Sequence, residues 1–241
     1  MNLLVDFLCR FSFGLAVGLC ITPAALVPSG FFRVNTLVLL GLTTFAALLS
    51  STLGLNANTW LLSIAAIVSW VGSVLWYADR RQPGLVCCGG AAVLCAAATA
   101  LTGEFTAAQV GVRILSGCLI GFTVNAMLLG HWYLVQPGLS REPIHQLVRW
   151  TGILWLPELI LLCLPTGMFS VLNGTIDDNY NGLLGWFWVA CVIATICLVG
   201  VTRMALKEKE YSAVMAATGL MYLAILTGFG MDLVARILLD T

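Results

Sequence analysis

Apolar runs of about twenty residues recur along the chain at approximately 4–27, 34–55, 59–78, 84–102, 110–135, 151–172, 182–203 and 213–237, separated by short polar loops. A helix of that length is what crosses a hydrocarbon layer. Backbone N–H and C=O groups in lipid must be bonded within the protein, and no period-2 alternation suits barrel strands, so a closed helical bundle is the fold that remains. The sequence therefore predicts an all-α integral membrane protein of about eight transmembrane helices, residues 1–241 forming a single polytopic domain. Short loops make consecutive helices antiparallel neighbours.

Composition agrees. Hydrophobic residues make up 60% of the chain and charged residues 9%, against roughly 25% charged in a soluble domain. Eleven basic and eleven acidic side chains cancel, which argues against nucleic acid as a partner. The expected partners are the lipid bilayer and other membrane subunits. All nine cysteines fall in apolar runs without a CxxC, where cysteine behaves as a small hydrophobe. The first run lacks a basic leader and is interrupted by Asp6 and Arg10, so it reads as a retained helix rather than a signal peptide.

Basic residues orient the bundle. Arg33, Arg80, Arg81, Arg141, Arg149, Arg203, Lys207 and Lys209 cluster in and around the odd-numbered loops, whereas the opposite side holds only Arg10, Arg113 and Arg236. The positive-inside rule makes the odd loops cytoplasmic and puts both termini outside, in a bacterial inner membrane. Trp76, Tyr77, Trp132, Tyr133 and Trp150 fall where an inner aromatic belt would lie, and Trp186 and Trp188 where an outer one would. Asn173-Gly174-Thr175 is a glycosylation sequon of little weight in that setting.

Arg10 through Gly18 and Arg113 through Gly121 share the spacing RxxxGxxxG in the first and fifth runs. A four-plus-four parallel repeat would produce that pattern, with a binding site between the halves. Small-xxx-small faces are also the ordinary device for close helix approach. Both readings stand on sequence alone.

Charges inside a membrane call for a partner or a purpose. Asp6 with Arg10, and Asp232 with Arg236, are spaced i,i+4 and can neutralise each other. Together with Glu104 and Arg113 they are expected to form an outer ionic cluster holding the first, fifth and eighth runs together, or to face an anionic ligand. His131 and Glu158 flank the polar hairpin Gln136–Trp150 and are candidate neighbours near the cytoplasmic side. A Glu–His pair can share a proton. Asn125, Trp132 and Tyr133 complete a candidate ligand-binding or proton-carrying site. Pro157 and Pro165 each interrupt the sixth run, which either lines a cavity or merely kinks.

Met127 and His131, i,i+4 on one face, are weak candidates for a soft metal ion. Haem would use His131 as an axial ligand. Quinone would need only hydrogen-bonding groups and aromatic walls. Ser140–Trp150 reads as a short amphipathic helix lying in the interface. No soluble-enzyme signature is present and no catalytic residue is assigned. Three functions follow: a quinone- or haem-binding subunit of an electron-transfer assembly, a small proton-coupled transporter, or a ligand-free structural subunit.

Overall fold

Every long apolar run becomes a helix because helix alone bonds its own backbone in lipid. The computed structural model describes residues 2–102, 107–136, 138–164 and 167–239. Among them are α1 (Asn2–Ile21), α2 (Ser29–Thr52), α3 (Asn56–Tyr77), α4 (Arg81–Ala100), α5 (Ala107–Val135), α6 (Glu142–Cys163), the short α7 (Met168–Leu172), α8 (Leu183–Ala205) and α9 (Tyr211–Leu239). Eight of these are long and apolar enough to span a membrane. The protein is an all-α multi-pass membrane bundle, and its surface meets lipid. Glu104 and Pro165 lie outside the described residues.

Many hydroxyl side chains within the spans are satisfied locally. Thr36, Thr43, Ser69, Thr99, Thr123, Thr195 and Thr218 each donate to the carbonyl four residues earlier. Back-bonding of this kind lets a polar group sit in an apolar helix without a cross-helix partner.

The helices form two rings of four. In the first, α1 packs on α2, α2 on α3, α3 on α4 and α4 back on α1. In the second, α5 packs on α6, α6 on α8, α8 on α9 and α9 back on α5. The neighbour order is the same in both, as a four-plus-four arrangement requires. The rings meet mainly where α1 crosses α5. These two helices are the most enclosed, with 67% and 72% of their apolar windows buried against 28–44% elsewhere.

The crossing is made possible by glycine. A Cβ on Gly14 would fall on the Gly117 carbonyl, and one on Gly117 would stand 2.6 Å from the Arg10 carbonyl oxygen. Gly121 faces the Gly14 backbone in the same way. The shared RxxxGxxxG spacing is thus the contact between the two rings. Asn125 fastens it, donating 3.0 Å hydrogen bonds to the carbonyls of Leu15 and Gly121.

Two expectations are corrected. The sixth span is not 151–172: α6 begins at Glu142, and Leu164 is extended before α7 starts at Met168. Ser140–Trp150 is therefore no separate interfacial helix. Ile144, Leu147 and Val148 are completely buried, which anchors these first turns in the bundle. The aromatic belt also differs. Trp76 stacks on Phe32 with ring centroids 4.2 Å apart, and Trp76, Tyr133 and Trp188 are buried, while Tyr77, Trp150 and Trp186 remain exposed.

Candidate functional site

The buried charges collect at the end of the bundle that carries both termini. Arg10 on α1 is at their centre, 1% exposed. Its Nε donates to Asp6 Oδ2 at 2.7 Å, and its Nη1 donates to Asp232 Oδ1 on α9 and to Ser116 Oγ on α5, both at 2.6 Å. The Ser116 hydroxyl donates in turn to Asp232 Oδ1. Arg113 Nε lies 3.5 Å from Asp6 Oδ1, which also accepts from the Thr102 hydroxyl at 2.7 Å. Arg236 Nε lies 3.7 Å from Asp232 Oδ1. The structure thus brings Asp6, Arg10, Arg113, Asp232 and Arg236 into one network spanning α1, α5 and α9.

Glu158 joins this network from α6. Its neighbours in electrostatic range are Asp232, Arg236 and Arg10, together with Cys118 on α5. The side chain is 1% exposed, and neither carboxylate oxygen has a hydrogen-bond partner among the described residues. Asp232 Oδ2, Arg236 Nε and Nη2, and the indole nitrogens of Trp155 and Trp188 are likewise buried without one. Three carboxylates, Asp6, Asp232 and Glu158, face three guanidiniums, Arg10, Arg113 and Arg236. Among the described residues the cluster is balanced in formal charge yet unsaturated in hydrogen bonds on the α6 and α9 side.

The expected pairing of His131 with Glu158 does not form. Because α6 starts at Glu142, Glu158 stands sixteen residues in, about 24 Å along the axis from the Arg-rich end. Cys118, its neighbour on α5, precedes His131 by thirteen residues, about 20 Å of helix. His131 is exposed at the far end of α5. The remaining members of the expected site are used in packing. Asn125 ties α5 to α1. Tyr133 donates its hydroxyl to the Ser140 carbonyl at 2.6 Å, and Trp132 packs its ring against Phe31. Met127 packs among buried side chains of the bundle, and no group of three or more His, Cys, Asp or Glu suited to a metal exists among the described residues.

Compared with known proteins, the chain matches no family model, no curated protein and no solved structure. The site must be read from its own chemistry.

Ser116 and Thr102 belong to the network and carry no obvious sequence signal. Ser116 lies three residues after Arg113, on the face of α5 that also bears Gly117. Helix α6 brings Glu158 to the cluster directly behind Pro157, which sits inside the helix. Proline has no N–H to give the Ile153 carbonyl, so the turn below Glu158 lacks one rung. The arrangement can exchange a proton or hold a small charged group, and the weakened turn supplies a place for α6 to bend.

Proposed function

We propose that this protein is a small proton-coupled transporter in which Glu158 carries the proton. One observation supports this above the others: a carboxylate enclosed in a membrane bundle, without a donor to either oxygen among the described residues, beside a guanidinium that also has N–H groups unsatisfied among them. Ionisable groups inside a membrane are expensive and mark substrate or proton pathways. A carboxylate held only for structure would be expected to use its lone pairs, as Asp6 does with Arg10 and Thr102. Two four-helix rings meeting on a glycine crossing are the parts that alternating access requires, with the site between them.

On this reading the Arg-rich loops are cytoplasmic, both termini are outside, and the charged network lies nearer the outer side of a bacterial inner membrane. Arg236, whose Nε and Nη2 are buried without a hydrogen-bond partner among the described residues, makes a small organic or phosphate anion the substrate class to test first. The quinone or haem reading drew on His131, Asn125 and Tyr133 acting at one place with Glu158, and these residues have other surroundings.

The test is proton flux in vesicles reconstituted with purified protein, loaded with a pH-sensitive dye and challenged with small anions. Glu158→Gln should abolish anion-driven flux while leaving the protein folded, and His131→Ala should leave flux intact. Equal flux in wild type and Glu158→Gln would overturn the assignment. A reducible Soret band or stoichiometric quinone lost in His131→Ala would restore the redox reading.

A further inference from the structure

A second polar feature lies at the opposite end of the bundle. A cavity of about 390 Å³ opens between the first turns of α6 and the end of α8. Glu142, His145, Gln146 and Arg149 recur at helical spacing along one face of α6, and Arg203 and Lys207 face them across it. Arg149, Arg203 and Lys207 against the Glu142 carboxylate leave these four side chains a net charge of +2. The walls are held in place: Arg141 donates to the carbonyls of Glu208 and Lys209 at 2.6 and 2.8 Å, clamping the α8–α9 turn to the start of α6. Gln146 donates to the Ile21 carbonyl at 3.2 Å.

The cavity is floored where α6 and α8 approach each other. A Cβ on Gly152 would lie 3.5 Å from Val199 Cγ1 and 3.9 Å from Arg203 Nη1, so the Arg203 head rests over the close contact. Below this level the same side of the two helices exposes apolar groups, with Ile153, Leu156 and Ile160 on α6 and Ile193 on α8. A basic cup at the rim of an apolar, lipid-facing surface fits a molecule with a phosphate at one end and hydrocarbon at the other.

We infer that this cup binds the phosphate of an anionic phospholipid headgroup, with Arg149, Arg203 and Lys207 as its ligands and the acyl chains lying along α6 and α8. Free phosphate shares the charged contacts but gains nothing from the apolar surface below them. Basic pockets between transmembrane helices recognise anionic headgroups through this combination of charge and depth. The site is separate from the Glu158 network and does not depend on the transport reading.

Native mass spectrometry of the full-length protein in detergent tests it, with added phosphatidylglycerol, phosphatidylcholine or inorganic phosphate. Wild type should retain phosphatidylglycerol at least tenfold more tightly than phosphatidylcholine, with retention weakening as salt rises. Arg149→Gln/Arg203→Gln should remove most of that preference, whereas Arg33→Gln/Arg80→Gln, which deletes the same charge elsewhere on the basic end, should keep it. Equal loss in both double variants would reduce the effect to general surface charge and overturn the site. Equal retention of the two lipids by wild type would also overturn it. Displacement of the lipid by millimolar inorganic phosphate would overturn the lipid assignment in favour of a soluble phosphate ligand.

Discussion

Arg10 and Asp232 lie 222 residues apart in the chain and 2.6 Å apart in space, so one ion pair joins the first span to the last. Both side chains are almost completely buried. Arg10 also neutralises Asp6, which makes it the shared cation of two carboxylates. Removing one partner of a buried pair typically costs about 3–5 kcal/mol, because the other charge stays behind unpaired. Arg10→Met should therefore destabilise more than Asp232→Asn, which leaves Arg10 its bond to Asp6. The double variant should cost less than the sum of the two. Thermal unfolding in detergent measures all three, and strict additivity would show that the two residues are not coupled.

The glycine crossing predicts a position-specific intolerance. At Gly14 even one methyl group meets backbone atoms of α5, which cannot rotate away. Gly14→Ala should cost about 1–3 kcal/mol or more, as overpacking does in other cores. Gly41→Ala on α2 is the control, since nothing lies within 4 Å of a Cβ there. That change should be neutral or slightly stabilising, alanine being the better helix former. Similar losses at the two positions would mean that the α1–α5 approach is looser than the structure has it.

Much of this architecture is legible in the sequence because lipid removes alternatives: a run of twenty apolar residues has one way to bond its backbone. What the sequence misleads on is α6. Arg141, Glu142, His145 and Arg149 look like the end of a loop, yet they form the polar side of a helix whose other side, Ile144, Leu147 and Val148, is fully buried. Starting α6 at Glu142 moves Glu158 by more than two turns and exchanges His131 for Arg236 and Asp232 as its neighbours. The i,i+4 charge pairs are visible in the sequence. Their cross-connections through Ser116 and Thr102 depend on which helix faces meet, and one sequence does not encode that in any local pattern.

The loop before α8 predicts a pH dependence. Asp178 accepts from the backbone N–H groups of Tyr180 and Gly182 through Oδ1, and from Leu184 through Oδ2, at 2.8–3.0 Å. Burial pushes its carboxyl up, but the N–H groups of Gly182, Tyr180 and Leu184 outweigh that and hold it below the ordinary carboxylate range. A folded-state pKa below the unfolded value of about 3.9 contributes stability that is complete above that pH and is lost as pH falls through the folded pKa. Amide exchange at Tyr180, Gly182 and Leu184, corrected for intrinsic rate, should show full protection at pH 6 and loss of protection below about pH 4. Asp178→Ala should reduce protection at pH 6 and flatten the profile. The loop holds Asn179 and Asn181 at φ of 58° and 55°, so it has little to keep its shape once the carboxylate is gone.

Pro157 separates a mechanical role for α6 from a purely structural one. An interior proline costs a helix about 3 kcal/mol by removing one bond and crowding the turn before it. Pro157→Ala restores the N–H that the Ile153 carbonyl lacks, so it should raise the thermal stability of the purified protein and slow amide exchange through the turn below Glu158. If α6 bends there as Glu158 exchanges its proton, the same substitution should lower anion-driven proton flux severalfold despite the gain in stability. A more stable protein with undiminished flux would assign the kink to packing alone. In that case the Glu158 carboxylate would have to be reached by motion at the α1–α5 crossing, where Gly117→Ala, whose Cβ would meet the Arg10 carbonyl oxygen at 2.6 Å, becomes the variant that should slow transport.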